Sequence, residues 1–132
     1  MVLVDANILI DLFTNDPDWY DWSRTALLEA AAREQLGINP IIYAEVSIAF
    51  TDVAKLDAAL APLELVYCEL PYAAGFLAGK AYFKYRRRQG SKHSPLPDFY
   101  IGAHAEIADY ELLTRDKKRY ASYFPKVQLL CP

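Results

Sequence analysis

Apolar positions along the chain fall into two alternating kinds of run. Val2-Leu3-Val4 is apolar without a polar break, the pattern of a strand buried on both faces of a parallel sheet. Ile8, Leu9, Leu12 and Phe13 then recur at helical spacing. Asp16-Pro17 ends that helix and opens a second one, rich in Ala and Leu, over 17–35. Residues 36–39 predict a short strand. Pro40 suits the first turn of a helix over 41–50. Asp52 caps a further helix to residue 60, stopped by Pro62. Residues 63–68 alternate weakly and predict a strand. Pro71 opens a long helix to residue 88, and the Gly-, Ser- and Pro-containing stretch 89–97 reads as a loop. Ile101, Ala105 and Ala108 predict a helix over 98–109. A strand over 111–114, a short polar helix and a last strand over 127–130 complete the pattern. Strands that alternate with helices predict a three-layer α/β fold, with a mostly parallel sheet of about five short strands.

Composition narrows the class. A chain of 132 residues is one domain, 1–132, with no repeat or linker. Hydrophobic residues at 54% and charged residues at 23% exclude a disordered chain. No uncharged apolar run is long enough to cross a membrane. Four residues precede Asp5, too few for a signal peptide, so a cytoplasmic protein is expected. Cys68 and Cys131 make neither a disulfide framework nor a zinc site, and read as small buried hydrophobes. The net charge of −3 argues mildly against nucleic-acid binding, yet it hides basic patches. Lys80, Lys84, Arg86, Arg87, Arg88 and Lys92 fall in one stretch without an acid. Arg115, Lys117, Lys118 and Arg119 form a second cluster, broken only by Asp116.

Four acids stand where the pattern asks for apolar residues or at strand ends. Asp5 follows the first strand, and Asp116 follows Leu112-Leu113-Thr114. Ligands of parallel α/β sheets bind at such carboxyl ends. Glu45 interrupts the apolar stripe of Ile41, Ile42, Val46, Ala49 and Phe50, and Asp98 opens a helix on its inward face. Each has an ordinary alternative. Asp5 or Asp98 could cap a helix, Glu45 could pair with a buried Arg, and Asp116 could lie in a solvated turn. Four buried carboxylates in one cleft would repel one another, and a hard divalent cation, Mg²⁺ or Mn²⁺, resolves that conflict. Setting the four aside turns −3 into +1. A carboxylate-held metal beside a basic rim outlines a phosphodiester site, with the 80–92 cations as the backbone grip. Asn7 could bond Asp5 or cap the first helix, and Thr114 could orient a carboxylate or simply favour a strand. His93 and His104 read as solvated or satisfied in the core. Trp19, Tyr20 and Trp22 suit either an interface or the core.

These residues carry a resemblance. Val2-Leu3-Val4-Asp5-Ala6-Asn7-Ile8 resembles the start of PIN-domain ribonucleases, with their D-x-N signature. Ala44-Glu45-Val46 resembles that family's second acid, and residues 96–105, from Leu96 to Ala105, its third. Leu112-Leu113-Thr114-Arg115-Asp116 resembles the T-x-D element. The order and spacing match over essentially the whole chain, and the length resembles VapC-type toxins of toxin–antitoxin pairs. The resemblance implies a metal-dependent endoribonuclease acting on structured RNA such as tRNA or rRNA. It further implies a homodimer and a cognate antitoxin. Asp5, Glu45, Asp98 and Asp116 would be the catalytic and metal-binding acids, supported by Asn7 and Thr114. RNA would meet Lys80, Lys84, Arg86, Arg87, Arg88, Lys92 and Arg115. The chain departs from the family at one place: where members often carry another acid and a Phe, Lys117, Lys118 and Arg119 precede Tyr120.

Other classes fit less well. A phospho-receiver domain needs an acceptor Asp at the end of a middle strand, and residues 63–68 end in Glu69. A haloacid-dehalogenase-type phosphatase needs Asp where Asn7 stands. No G-x-G-x-x-G or G-K-[ST] occurs for a nucleotide. A non-catalytic PIN-like module that binds a protein partner is the remaining alternative.

Overall fold

The computed structural model describes residues 1–89 and 96–132. Strand β1 (Val2–Val4) is wholly buried and lies at the centre of a five-stranded sheet. It pairs in parallel with β2 (Leu36–Ile38) on one side and β4 (Glu111–Leu113) on the other. Strands β3 (Val66–Tyr67) and β5 (Leu129–Leu130) form the two edges, each again parallel to its neighbour. The order is β3-β2-β1-β4-β5, so every pairing is parallel and the sheet is doubly wound. The chain leaves β1 toward β2 and returns from β3 to β4 across the centre. That reversal opens a crevice at the carboxyl ends of β1 and β4, where such sheets receive ligands.

Among the described residues, seven α-helices complete the layers: α1 (Ala6–Phe13), α2 (Tyr20–Arg33), α3 (Pro40–Ser47), α4 (Val53–Leu60), α5 (Tyr72–Gln89), α6 (Leu96–Ala108) and α7 (Lys117–Tyr123). Their starts follow local chemistry. Asn39 caps α3, accepting from the Ile42 N–H at 2.9 Å, and Asp52 caps α4 through the Lys55 N–H. Helix α2 starts later than the pattern predicted. The Asp16 carboxylate accepts from the N–H groups of Asp18 and Trp19, both at 2.9 Å, and holds that stretch as a turn. Helix α3 ends at Ser47 rather than residue 50; the Ser47 hydroxyl bonds back to the Tyr43 carbonyl at 2.7 Å.

Most of the stretch expected as a loop over 89–97 lies outside the described residues, as do Lys92 and His93. Both its edges belong to helices: Gln89 ends α5, and Leu96 and Pro97 begin α6, because proline is tolerated in a first turn. Cys68 and Cys131 are half-buried rather than buried, since each lies beside an edge strand.

Helix α6 is the structural centre of the second half. Phe99, Ile101, Ala103 and Ala105 are buried on it, and Phe99 meets Tyr82 and Tyr85 of α5 and Tyr123 of α7 edge-on. Gly102 is required by contact: a Cβ there would stand 2.4 Å from the ring of Phe124. His104 is buried, and its Nδ1 lies 3.0 Å from Asn39 Nδ2. Asn39 spends its oxygen on the α3 cap, so its amide donates and Nδ1 accepts. Burial holds the imidazole below its ordinary pKa, in the neutral form this bond needs. The bond fastens the start of α3 to the middle of α6.

Candidate active site

The crevice beyond β1 and β4 collects side chains from five segments. Asp5 directly follows β1 and caps α1. Its Oδ1 accepts from the Ala6 N–H at 2.8 Å. Its Oδ2 accepts from the hydroxyls of Thr114 at 2.7 Å and Tyr120 at 3.2 Å, and from Asn7 Nδ2 at 3.3 Å. Asp5 is 4% exposed, and none of these partners is a cation. Burial, opposed by Thr114 and reinforced by the charge of Asp98, raises its carboxyl from 3.8 to about 6. Asn7 and Thr114 hold this arrangement from both sides. Asn7 Nδ2 reaches Thr114 Oγ1 at 3.4 Å, Asn7 Oδ1 accepts from the Arg115 N–H, and Thr114 Oγ1 accepts from the Asp116 N–H at 3.0 Å.

Glu45 faces the crevice from α3. Its Oε1 is buried with no hydrogen-bond partner among the described residues, and no buried arginine pairs with it there. Burial first, then the charges of Asp98 and Asp5, push its carboxyl up to about 7. Asp98 lies in the first turn of α6, where the helix dipole favours an acid. Burial raises it and Arg119 opposes that rise. Arg119 Nη1 pairs with Asp98 Oδ2 and lies 3.6 Å from Asp116 Oδ2. Asp116 caps α7, accepting from the Arg119 N–H at 3.4 Å.

The charges of Asp5 and Asp98 act on Glu45, that of Asp98 acts on Asp5, and that of Asp116 acts on Asp98. The four acids do not meet at a point. Among the described residues, no three Asp, Glu, His or Cys side chains stand close enough to share one ion. The reason is local: Asp5 is turned onto Thr114 and Tyr120, and Asp98 is drawn to Arg119. In donor chemistry the group still suits a hard cation. It offers carboxylate oxygens alone, one of them orphaned, on groups that burial has left short of positive charge.

Arg115 has another place than the RNA-facing surface foreseen for it. Its guanidinium grips Asp11 with two bonds, at 2.8 and 3.0 Å, and lies 4.9 Å over the ring of Trp19. Asp11 is 2% exposed and also accepts from Ser23 at 2.6 Å. This ties α1 and α2 to the segment that carries Thr114 and Asp116. Trp19 itself is half-buried, edge-on to Trp22. Sequence reasoning missed Asp11, Arg119 and Tyr120. Asp11 had a usable signal: it interrupts the apolar α1 as Glu45 interrupts α3.

Lys80, Lys84, Arg86, Arg87 and Arg88 are exposed along α5. Lys80 lies over Phe76, Arg86 over Tyr82 and Arg87 over Phe83, at 5.2 to 5.9 Å from each ring centre. Arg88 lies over Tyr123 of α7, which brings the end of this strip to the crevice. A cleft of about 320 Å³ lies there, lined by Tyr85, Arg88, Asp116, Lys118, Arg119 and Tyr123.

Residues 2–125 match the PIN-domain family. The chain belongs to that family. Its fold is shared by a chain of VapBC2 from Rickettsia felis, solved bound to a promoter DNA fragment. That match has a TM-score of 0.74 at 19% identity, covering 100% of this chain and 99% of the other. VapBC-1 from nontypeable Haemophilus influenzae gives 0.72 at 20% identity, over 99% and 98% of the two chains. A toxin–antitoxin complex from Klebsiella pneumoniae gives 0.66 at 26% identity, over 92% and 91%. No curated protein sequence matches the chain. The PIN-domain assignment removes the phospho-receiver alternative.

Proposed function

We propose that this PIN domain is a metal-dependent endoribonuclease and the toxin of a toxin–antitoxin pair, with a cognate antitoxin and a second copy of itself as partners. One observation carries the reading. Carboxylates from β1, α3, α6 and the β4–α7 turn gather at the reversal point of the sheet, with Glu45 Oε1 left unsatisfied. Glu45 is the member with no cap, ion pair or hydrogen bond at its buried Oε1 among the described residues, and a cation would offset that burial. The likeness to solved toxin–antitoxin complexes supports the biological role.

Asp5, Glu45, Asp98 and Asp116 are the residues that would hold Mg²⁺ or Mn²⁺, which when bound would supply a water of lowered pKa and positive charge against the scissile phosphate. The protein's own contribution is positioning. Asn7, Thr114 and Tyr120 fix the Asp5 rotamer, and burial keeps the Tyr120 phenol neutral as a donor. Arg88 and Lys118 line the neighbouring cleft and receive the backbone, and Lys80, Lys84, Arg86 and Arg87 extend that grip along α5. Exposed Phe76 and Phe83 offer stacking faces for unpaired bases. Hydrolysis leaves a 5′-phosphate and a 3′-hydroxyl.

The test is cleavage of total RNA by wild type and Asp98→Asn, with Mg²⁺ or Mn²⁺ and with EDTA. Cutting that requires both the metal and Asp98 is expected. Full activity in Asp98→Asn would end the assignment. A folded wild type that neither cuts RNA nor binds metal would leave the non-catalytic module.

A further inference from the structure

Helix α5 has two faces of opposite character. Ala74, Ala78 and Ala81 are buried against the rest of the fold. Tyr72, Phe76, Gly79 and Phe83 lie on the other side, within about 60° of arc. Their three rings are 100%, 72% and 58% exposed. Gly79 is not required by packing: among the described residues, a Cβ there would meet nothing within 4 Å. Glycine inside a helix weakens it, so the position carries a cost that the fold does not explain. What it leaves is a notch between Phe76 and Phe83, whose Cα atoms are about 10 Å apart by helix rise. That span is about three stacking steps of ~3.4 Å, room for two bases between two rings.

The charges around the notch are of one sign. Lys80, Lys84, Arg86, Arg87 and Arg88 follow it, and no Asp or Glu occurs from residue 70 to residue 97. Lys80 lies 5.2 Å from the centre of the Phe76 ring, and Arg87 lies 5.7 Å from that of Phe83. Each ring therefore has a cation beside it, which sets a phosphate partner next to a stacking surface. Base faces in a duplex are covered by their neighbours, so only an unpaired strand can use such rings. A second copy of the chain crossing α5 at Gly79 would set Lys80 against its own counterpart. The row ends toward the crevice, where Arg88 lies over Tyr123 beside the cleft that Asp116 lines.

Resting on the RNA-cleaving reading above, we propose that this face of α5 selects single-stranded RNA. Two successive unpaired bases stack in the Gly79 notch between Phe76 and Phe83, and Lys80 and Arg87 hold their phosphates. The strand then runs over Arg88 into the crevice. Gly79 is a specificity-determining residue: its missing side chain is what admits the bases.

The experiment measures binding rather than turnover. Fluorescence anisotropy in EDTA follows the full chain on an unstructured RNA of about 12 nucleotides, alone and annealed to its complement. A glutamate-rich peptide of the same charge is the third probe. Wild type is compared with Gly79→Leu, with Phe76→Ala and Phe83→Ala combined, and with Lys80→Gln and Arg87→Gln combined. Each is checked by circular dichroism and sedimentation. Wild type is expected to bind the single strand about tenfold or more tighter than the duplex. Gly79→Leu should melt at a higher temperature than wild type, yet bind the single strand about tenfold more weakly. The double Phe variant should lose about 30-fold. Neither should move duplex binding by more than about twofold, or change the salt slope, because no charge is lost. The Lys80 and Arg87 pair should instead lower the log–log salt slope by about 1.4. Equal affinity of wild type for single strand and duplex overturns the inference. So does an unchanged single-strand affinity in Gly79→Leu and the double Phe variant, or equally tight binding of the peptide with the same sensitivity to those variants. A changed sedimentation of Gly79→Leu with unchanged RNA affinity overturns it too, and gives the face to a second copy. Each of these leaves the nuclease reading standing, since cleavage and its need for Asp98 are read separately. Ring-dependent single-strand binding by a chain that cuts no RNA would support the platform and remove the nuclease.

Discussion

Asp5→Asn is expected to stabilise the metal-free protein at alkaline pH while disabling its centre. The Asp5 carboxyl is raised from 3.8 to about 6, first by burial and then by Asp98. Two units at about 1.4 kcal/mol each make the buried charge cost about 3 kcal/mol. The sign follows from the direction of the shift. A folded pKa above the unfolded one favours folding fully below pH 3.8, and that advantage is lost as pH rises through about 6. Asparagine carries no charge to bury. It does place an amide where Asp5 Oδ2 accepts from Thr114, Tyr120 and Asn7, which costs about 1 kcal/mol in rearranged bonds. The net gain is about 2 kcal/mol, or about 6 °C in Tm for a domain of this size. Thermal melts followed by circular dichroism in EDTA, at about pH 8 and about pH 4, measure it. The gain should appear at the higher pH and vanish at the lower. An equal gain at both, or a lower Tm at about pH 8, would refute the argument that charge burial governs this position. Addition of Mn²⁺ should then reverse the order, raising wild type and leaving Asp5→Asn unmoved.

Three further outcomes follow from the packing and the surface. Arg115→Ala strips buried Asp11 of its bidentate partner and should cost on the order of 3 kcal/mol, read by urea unfolding. A loss below about 1 kcal/mol would mean the contact is only a surface pair. Gly102→Ala forces a methyl into the Phe124 ring and should lower stability by about 2 kcal/mol, visible in the same unfolding curves. Replacing Arg86, Arg87 and Arg88 by Ala should flatten the salt dependence of RNA binding by about two in log–log slope, given about 0.7 per single-strand phosphate contact. An unchanged slope would reduce the strip to a solvated face.

Much of the architecture was legible because it rests on short-range physics. Val2-Leu3-Val4 reads as a central strand because both its faces are buried, and Asp52, Asn39 and Pro40 mark helix starts that local bonds enforce. The acids at 5, 45, 98 and 116 stood out because they break apolar periodicity or end strands. What stayed hidden depends on partners far along the chain. Arg115 and Arg119 look alike as members of one basic cluster. Only the fold shows that one grips Asp11, across 104 positions, while the other grips Asp98. The meeting of Asn39 with His104 is hidden for the same reason: a lone histidine on an apolar face carries no sign of its partner. Edge strands were drawn too long, since β3 pairs over two residues of a weakly alternating run.

The register of the central strand has a consequence for how the molecule comes into being. Val2 pairs with Leu36 on one side and with Glu111 on the other, so β1 waits through most of the chain for its second neighbour. Contacts of such wide sequence separation form late, because the loop entropy must be met before pairing rewards it. The acidic group is assembled across that same join, Asp5 and Glu45 from the first half and Asp98 and Asp116 from the second. A growing or partly folded chain therefore holds the two halves of the acidic group apart until the last seam of the sheet closes.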